Sequence, residues 1–415
     1  MTDTISSAPD PRQRTPVAPG TAGFTFVLSM AMAGTALAID TMLPAFPEIR
    51  AALDLEADST AVAGLVTAFL IGQGIGLIPA GLLADRFGRR PVLWGGMVIY
   101  IIAAVVTAAA PNLEVMLAGR LIWGIGAAGP RVAATAMVRD SFEGAEMAKQ
   151  MSTIMAVFLI IPTIAPAIGA GLVAVGAWQL VFWFCAAFGA GVLAMTTRLP
   201  ATMHNAPVQP RMSRRLLVRN IQTVFTTPGS AGYMIALTGL FASFITYLAS
   251  SEIIIDEVFD LQDWFPVIFA AIAIIMAAAM IINRQVVVRV GLERMVLLMG
   301  RALLVLAGVF VLIALLTDGT PRFSVFFASI SALFVAQQLL TPNINAAAMR
   351  PLGDVAGTAA AVFGMVPMIV GSLIGTVIDR AFDGTVTPLA IGMAACAVFS
   401  VSGLTWARRA APSAR

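Results

Sequence analysis

Twelve long apolar runs follow one another along this chain of 415 residues. Each run has about 20 residues, which is the length that an α-helix needs to cross the hydrocarbon core of a membrane. The composition agrees, since 59% of the residues are hydrophobic and only 11% are charged, whereas a soluble domain has about 25% charged residues. The sequence therefore predicts an all-α polytopic membrane protein. It argues against an enzyme and against a nucleic-acid-binding protein.

The predicted spans form two sets of six. Numbered 1 to 12 in chain order, they cover 22–44, 60–83, 92–110, 113–138, 147–174, 178–198, 230–254, 264–288, 294–316, 323–346, 355–379 and 386–407. The chain is thus expected to divide into a six-helix half at 22–198, a polar cytoplasmic linker at 199–229 and a second six-helix half at 230–407. Residues 1–21 are rich in Pro, Ser and Thr and are expected to be a disordered tail rather than a cleaved signal peptide. Residues 408–415 form a second tail.

The turns between spans differ in charge on the two sides of the membrane. Turns on the side of the two termini carry most of the 25 Lys and Arg residues, and the alternate turns are acidic or neutral. By the positive-inside rule, both termini are expected in the cytoplasm, with the chain in a cell (inner) membrane. Arg50, Arg322 and Arg380 are isolated exceptions to this pattern.

The turn between spans 2 and 3 concentrates charge. Four of the six residues from Asp85 to Arg90 are charged. Arginines there help to set the orientation, but an acid among them does not, and Gly88 suggests a turn of fixed shape. A shift of 203 residues lays Arg86 and Gly88 on Arg289 and Gly291. This faint repeat indicates that the two halves are related, which is a common plan of transporters.

The same turn resembles the signature of the major facilitator superfamily, G-x-L-a-D-r-x-G-r-[KR]. Its matching positions are Gly81, Asp85, Arg86, Gly88, Arg89 and Arg90. Span 1 ends in AIDTMLPAFPEI, span 4 carries RLIWGIGAAG and ends in Arg139-Asp140, and span 5 reads PTIAPAIGAG. These stretches are similar to drug:proton antiporters, and most similar to the Bcr/CflA-type multidrug efflux branch. Ala165 and Ala170 stand where glycine is usual in that group.

The resemblance implies a cytoplasmic latch at this turn. Asp85 would pair with a helix end and with Arg139 in one access state and release them in the other. A few charge-assisted hydrogen bonds have the size of bias that sets two comparably stable states. The alternative is that the charges serve only orientation and turn geometry.

Asp40 and Arg120 are ionisable groups inside predicted spans, and such groups are functional candidates by default. They lie at similar depth in spans 1 and 4. The spans contain no histidine, so a carboxylate is the natural proton carrier, and Asp40 is the leading candidate. Arg120 would then modulate its proton affinity. Two other readings stay open, namely a static Asp40–Arg120 pair and an Asp40 that caps the end of span 1.

Other polar positions leave alternatives. Arg131 lies eleven residues after Arg120, close to three helical turns, so it could line a cavity that favours anionic or zwitterionic ligands, or it could pair with a neighbouring helix. Glu252 and Asp256 could form a second proton site or lie at the surface. Asn343 could line the cavity or bond between helices.

Span 5 contains Pro162 and Pro166, which remove backbone donors and bend a helix. Gly169 belongs to a run of small residues that permits close packing. Such a helix could seal the interface between the halves, or it could be an ordinary bent span.

Together these features predict a proton-coupled secondary active exporter of small amphipathic compounds or drugs that works by alternating access. A proton-coupled exporter of a metabolite, such as a sugar, amino acid or siderophore, is the alternative. The expected partners are a small-molecule substrate, protons and the lipid bilayer. A monomer is expected, with no cofactor, no metal and no nucleic acid. No P-loop is present in the sequence to support ATP-driven pumping.

Overall fold

The computed structural model describes residues 17–56, 58–199 and 214–410. Parts of three predicted segments lie outside these ranges, namely residues 1–16 of the first tail, 200–213 of the linker and 411–415 of the second tail. Within the described residues the chain is helical and contains no strand. The predicted all-α class is confirmed.

Twelve helices in the described chain match the predicted spans. They are α1 (Ala22–Asp40), α2 (Gly64–Phe87), α3 (Arg89–Ala108), α4 (Leu113–Ser141), α5 (Gly144–Val175), α6 (Gln179–Thr196), α7 (Ser230–Ile253), α8 (Phe265–Val290), α9 (Leu292–Leu316), α10 (Phe323–Met349), α11 (Ala356–Asp379) and α12 (Thr387–Ala410). Between α10 and α11 only a 3-10 segment intervenes, and Leu352 within it leaves helical geometry. In the described chain these helices lie in eleven stretches that are long and apolar enough to span a membrane, and α10 and α11 share one of them.

Two faces of the bundle are named here by the chain ends. The terminal face is the one where α1 begins and α12 ends, and the distal face is the opposite one. On the distal face, α1 is followed by a 3-10 turn at Leu43–Ala45 and a short helix at Phe46–Ala52, with Pro44 and Pro47 in their first turns. On the terminal face, part of the predicted polar linker is a helix, Arg214–Thr226, which we call the linker helix.

Small residues allow the closest helix contacts within each half. In the first half α4 packs on α2 and α3. A Cβ at Gly72 would meet the backbone of Leu121, and one at Gly124 would meet the backbone of Phe69. In the second half α7 packs on α11 and α12, and a Cβ at Gly371 would lie 3.0 Å from the amide nitrogen of Ala242. Each half is therefore a tightly packed unit.

The two halves meet along two helix pairs. In one, α2 packs on α11, and in the other α5 packs on α8. Large apolar side chains such as Val175, Val288 and Leu316 point outward with more than two thirds of their surface exposed, at 86%, 82% and 75%. This pattern is inverted relative to a soluble protein and fits a lipid-facing exterior.

The matching turns of the two halves have the same backbone shape. Gly88 has φ 93° and ψ 163°, and Gly291 has φ 85° and ψ 146°. Both glycines end one helix and precede the next directly. The prediction of two related six-helix halves is confirmed, and the relation is visible in the backbone as well as in the sequence.

Candidate functional site

A cavity lies between the halves. It has a volume of about 500 Å³ and is walled by α4 from the first half and by α7, α8, α10 and α11 from the second. Its polar lining residues are Arg131, Gln337, Gln338, Thr341 and Asn345. Phe241, Phe244, Phe363 and Met276 supply much of the apolar wall. A cavity of this size and lining is typical of a site for a small amphipathic molecule.

A second space adjoins the cavity toward the terminal face, and we call it the vestibule. It has a volume of about 750 Å³ and shares Arg131, Met349 and Gly364 with the cavity. Leu217 and Asn220 of the linker helix form part of its wall. Asn220 also donates a hydrogen bond to Thr358 on α11 at 3.4 Å. The linker helix is therefore part of the opening as well as a connection between the halves.

Arg131 is the one predicted cavity residue that lines both spaces. Its Nη1 donates to Oε1 of Gln73 at 3.4 Å, and Nε2 of Gln73 donates to Oγ1 of Thr35 at 3.2 Å. Three helices thus hold the guanidinium at the cavity wall. The two readings that the sequence left open, cavity lining and pairing with a neighbouring helix, both describe this arginine, which lines the cavity and bonds to Gln73 on α2.

Asn343 lies outside the cavity and the vestibule. Its Nδ2 donates to Oδ1 of Asn283 on α8 at 2.9 Å and to the carbonyl of Leu339 at 2.6 Å. Its neighbours on the cavity side of α10 are Gln337, Gln338 and Asn345. Sequence reasoning thus identified the right helix, because amides recur on it, but it could not choose the face.

Asp40 is the last residue of α1 and is buried, with 5% of its surface exposed. Among the described residues its carboxylate has no hydrogen-bond or ion-pair partner. The next residue, Thr41, donates its hydroxyl to the carbonyl of Leu37 and lies 3.6 Å from the Cys185 sulfur. Asp40 therefore lies where α1 contacts α5 and α6, with a carboxylate that is not neutralised by a neighbour.

In the described chain, Arg120 donates its hydrogen bonds to backbone carbonyls and not to Asp40. Its Nη1 donates to the carbonyl of Ala38 at 2.8 Å and its Nε to the carbonyl of Leu65 at 3.1 Å. The guanidinium carbon lies 4.6 Å from the ring centre of Phe69 and 5.0 Å from that of Trp123. No ion pair joins Arg120 to Asp40 in the described chain, so the static-pair reading is not supported here. Arg120 instead ties α1, α2 and α4 together.

The charged turn on the terminal face is organised around Arg89, which is buried. Its Nε bonds to Oδ2 of Asp140 at 2.7 Å, its Nη1 donates to the carbonyl of Ala84 at 2.9 Å, and its Nη2 lies 3.3 Å from Oδ1 of Asp85. Arg139 is exposed and reaches Asp140 only at 4.0 Å. The expected Asp85–Arg139 pair is therefore absent from the described residues in this state, and Arg89 takes its place.

The remaining residues of the signature have lesser contacts. Arg90 donates to the carbonyl of Thr197 at the end of α6, 2.6 Å away, and stacks over Trp94. Arg86 lies over the ring of its neighbour Phe87. Gly81 lines the vestibule, and a Cβ there would meet no atom within 4 Å.

The distal face carries an ion pair between the halves. Arg50 of the short helix after α1 donates from Nη2 to Oε2 of Glu252 at 2.6 Å and from Nη1 to Oε1 at 3.1 Å. Its Nε donates to the carbonyl of Ser59 at 3.0 Å. Both side chains are buried, at 5% and 2% exposure. Glu252 is thus neither at the surface nor in the cavity, and it joins the halves on the side opposite the vestibule.

Two more polar contacts lie near this pair. Ser250 donates to Oδ1 of Asp379 at 2.7 Å, and the hydroxyls of Thr67 and Thr376 lie 2.6 Å apart across the α2–α11 interface. Asp256 is partly exposed in a single π-helical turn after α7 and lies outside the cavity and the vestibule. The Arg50–Glu252 pair and the Thr67–Thr376 contact thus join the two halves on the distal face.

The α5 motif is only partly packed as expected. Pro162 and Pro166 are both inside the helix. A Cβ on Gly169 would meet the carbonyl oxygen of Thr41 on α1, and Ala165 is fully buried. Gly171 is exposed, with no atom within 4 Å of a Cβ built there. The close contact is therefore confined to one side of α5, beside Asp40.

Comparison with known proteins gives the same fold and places the chain among them. The family profile described as Major Facilitator Superfamily matches residues 22–376. The Bicyclomycin resistance protein homolog of Haemophilus influenzae is 26% identical over 381 residues, which covers 91% of this chain and 94% of that protein. Multidrug resistance protein MdtL of Escherichia fergusonii is 34% identical over 196 residues, covering 46% of this chain and 50% of that protein.

Solved structures share the architecture at low sequence identity. A D-xylose-proton symporter aligns with a TM-score of 0.67 at 15% identity, over 91% of this chain and 97% of that one. The human organic anion transporter MFSD10 aligns with a TM-score of 0.60 at 18% identity, over 93% of this chain and 99% of that one. These likenesses concern the fold alone. The chain belongs to the Major Facilitator Superfamily, a family of multi-pass membrane transporters rather than enzymes.

Proposed function

We propose that this chain is a proton-coupled secondary active exporter of small amphipathic compounds or drugs. The single observation that carries the proposal is the asymmetry of closure between its halves. A cavity and vestibule extend toward the terminal face, while the buried Arg50–Glu252 pair joins the halves on the distal face. The names of the full-length bicyclomycin-resistance relative and of the multidrug relatives support drug export.

In this proposal the terminal face is cytoplasmic, the protein acts as a monomer in the inner membrane, and the structure is the inward-open state. Rocking of the two halves would separate Arg50 from Glu252 and bring the terminal ends together around the cargo. The cluster of Arg89, Asp85 and Asp140 borders the vestibule and would change partners as it closes. This retains the latch implied by the sequence, with Arg89 at its centre.

Asp40 is proposed to carry the proton. Its carboxylate lies inside a span without a cationic partner, and an ionisable group in that position is a functional candidate by default. It also adjoins the α1–α5 contact at Thr41 and Gly169, close to the interface that must rearrange. Arg120 is proposed to hold α1 in place through the Ala38 carbonyl rather than to pair with Asp40. Glu252 is the second candidate for proton uptake, because opening of the distal face would free it from Arg50.

Export of a metabolite is the second candidate function. Arg131 favours it, because an arginine at the cavity wall suits a cargo with a carboxylate or phosphate group. Chemistry of the cargo rather than direction of transport separates the two proposals.

The test is proton-driven transport of chloramphenicol, of a fluorescent cationic dye and of the anionic amphipath dansyl-phenylalanine into energised inverted membrane vesicles or proteoliposomes. We expect the native chain to move at least one of these compounds, collapse of the pH gradient to stop it, and Asp40→Asn to lower proton-driven flux at least tenfold. Asp54→Asn, an exposed carboxylate on the distal face, is the matched control and should leave the flux unchanged.

Three outcomes would redirect the proposal. Movement of none of the three compounds would favour the metabolite alternative. Full proton coupling in Asp40→Asn would move the proton site to Glu252. Flux that ignores the pH gradient in the native chain would remove proton coupling altogether.

A further inference from the structure

Among the described residues that line the cavity between the halves, one side chain is charged. Among its lining residues, Arg131 is positive, four residues offer amides or hydroxyls, and the others are apolar or glycine. No carboxylate belongs to that lining. Any ligand in this cavity therefore meets a net positive wall.

Arg131 also lacks a neutralising partner within the described residues. Its side chain has one hydrogen bond, the long one to Gln73, and no ion pair. An uncompensated guanidinium inside a membrane span is costly. Arg120 differs on the same helix, because its Nε and Nη1 donate to two carbonyls and its guanidinium lies over two aromatic rings, away from the residues that line the cavity. Arg120 is thus held by the packing of three helices, whereas Arg131 lies at the cavity wall with one long hydrogen bond.

The surroundings of Arg131 fit one kind of molecule. A guanidinium binds a carboxylate or similar oxyanion through two parallel hydrogen bonds. Across the cavity, Phe241, Phe244 and Phe363 provide apolar and aromatic surface. Gln338 and Asn345 on α10 add groups that can donate or accept hydrogen bonds. A compound with an anionic end and an apolar or aromatic body would satisfy all three parts of the lining.

A cation fits the same space poorly. Aromatic faces attract cations, but Arg131 shares the cavity with them and repels a positive charge. Three carboxylates line the vestibule rather than the cavity, namely those of Asp85, Asp140 and Asp354, and the first two already contact Arg89. A cationic cargo would therefore have no acid to pair with at the depth of the aromatic residues.

We infer that the cavity selects amphipathic compounds that carry an anionic oxyanion group, alone or in a zwitterion, and that Arg131 binds that group. The inference rests on the proposed function, since it names the class of cargo for the same exporter. It concerns binding, however, and can be measured without a proton gradient.

The experiment compares two probes that differ by one charge, dansyl-phenylalanine and dansyl-phenylalaninamide. Binding to the purified chain in detergent at pH 7 is followed by dansyl fluorescence, with ethidium as a cationic probe. We expect the native chain to bind the acid about 10- to 100-fold more tightly than the amide, as a charge-assisted hydrogen-bonded pair allows. Arg131→Gln should remove that preference. Its affinity for the amide should stay within about threefold of the native value, which would show that the variant is still folded. Arg131→Lys should keep part of it.

The control is Arg301→Gln, which removes the same charge from the exposed side of α9 and should change neither affinity. Equal affinity of the native chain for the acid and the amide would overturn the inference, and so would tighter binding of ethidium than of the acid. A parallel loss of both dansyl ligands in Arg131→Gln, with the preference unchanged, would also overturn it. An acid preference that depends on Arg131 in a protein that shows no proton-driven flux would support the inference and reject the proposed function.

Discussion

Gly169 is the residue at which α5 and α1 approach most closely beside Asp40. The structure leaves no room for a Cβ there, because the carbonyl oxygen of Thr41 occupies the place. We expect Gly169→Ala to separate the two helices and to lower the free energy of unfolding by about 1–3 kcal/mol, the usual effect of overpacking. Thermal unfolding in detergent and proton-driven flux measure the two effects.

Gly171→Ala is the matched control for this substitution. It lies two residues further along the same helix, is exposed, and has open space at its Cβ. We expect no loss of stability, because alanine is also the better helix former. Equal behaviour of the two variants would show that the α1–α5 contact is looser than described.

Single residues show what the sequence could reveal and what it could not. Asp40, Arg120 and Arg131 stand out because charges are rare in apolar runs, so each was predictable as a candidate. Their partners could not be predicted, because every residue has a backbone carbonyl and the residue type at Ala38 therefore does not indicate that its carbonyl accepts a hydrogen bond. Arg50 did leave a signal, since it lies on the wrong side for the positive-inside rule.

At the scale of elements, the two matching turns depend on glycine. Gly88 and Gly291 adopt φ of 93° and 85°, a region in which other residues are strained by about 1–3 kcal/mol. We expect Gly88→Ala and Gly291→Ala each to destabilise the chain by about that amount. Gly88→Ala should also displace Arg89 from Asp140. Gly291→Ala should have no such effect, because the residue of the second half that corresponds to Arg89 is Leu292, which has no charge. Chemical denaturation and flux measurements distinguish the two effects.

Gly81→Ala provides the comparison within the same signature. Gly81 is helical and has no atom within 4 Å of a built Cβ, so alanine should leave stability unchanged or raise it slightly. A loss as large as that of Gly88→Ala would mean that the signature glycines act through something other than backbone conformation.

The sequence predicted the twelve elements well, since their apolar length is a direct consequence of the membrane. Their ends were less accurate where charge and helix coincide. Asp85 and Arg86 belong to the last turn of α2, although they were placed in the turn that follows. The linker helix was missed because prolines and arginines dominate that stretch, although its apolar residues recur with helical spacing at Leu217, Ile221 and Val224.

At the scale of the whole molecule, the buried Arg50–Glu252 pair is the ion pair that joins the halves on the distal face in the described chain. Breaking such a pair by removing one partner costs about 3–5 kcal/mol, because the other charge is left buried. We expect Glu252→Gln to shift the protein toward the state open on the distal face. The probe is a cysteine introduced by Ser372→Cys in a chain whose native Cys185 and Cys396 have been replaced. Residue 372 lies one helical turn before Thr376 on α11, further from the distal face. Its labelling rate by a membrane-impermeant maleimide from the distal side should rise at least tenfold.

The paired variant separates closure from general damage. Arg50→Met combined with Glu252→Leu replaces the ion pair by apolar contact and should return labelling close to the native rate. Additive effects of the two substitutions would contradict a direct role of the pair in closure. The sequence could not predict this contact, since its members are 202 residues apart and belong to different halves.

The unpaired charge of Arg131 has an electrical consequence. An exporter that takes in one proton and releases one monoanion moves two elementary charges in the same direction in each cycle. An interior-negative potential of 100 mV would then drive each cycle by about 4.6 kcal/mol, at about 2.3 kcal/mol per charge. The same exchange with a monovalent cation would move no net charge and would gain nothing from the potential. The net charge of the cargo that Arg131 admits thus sets how strongly such a transporter draws on the membrane voltage in addition to the pH gradient.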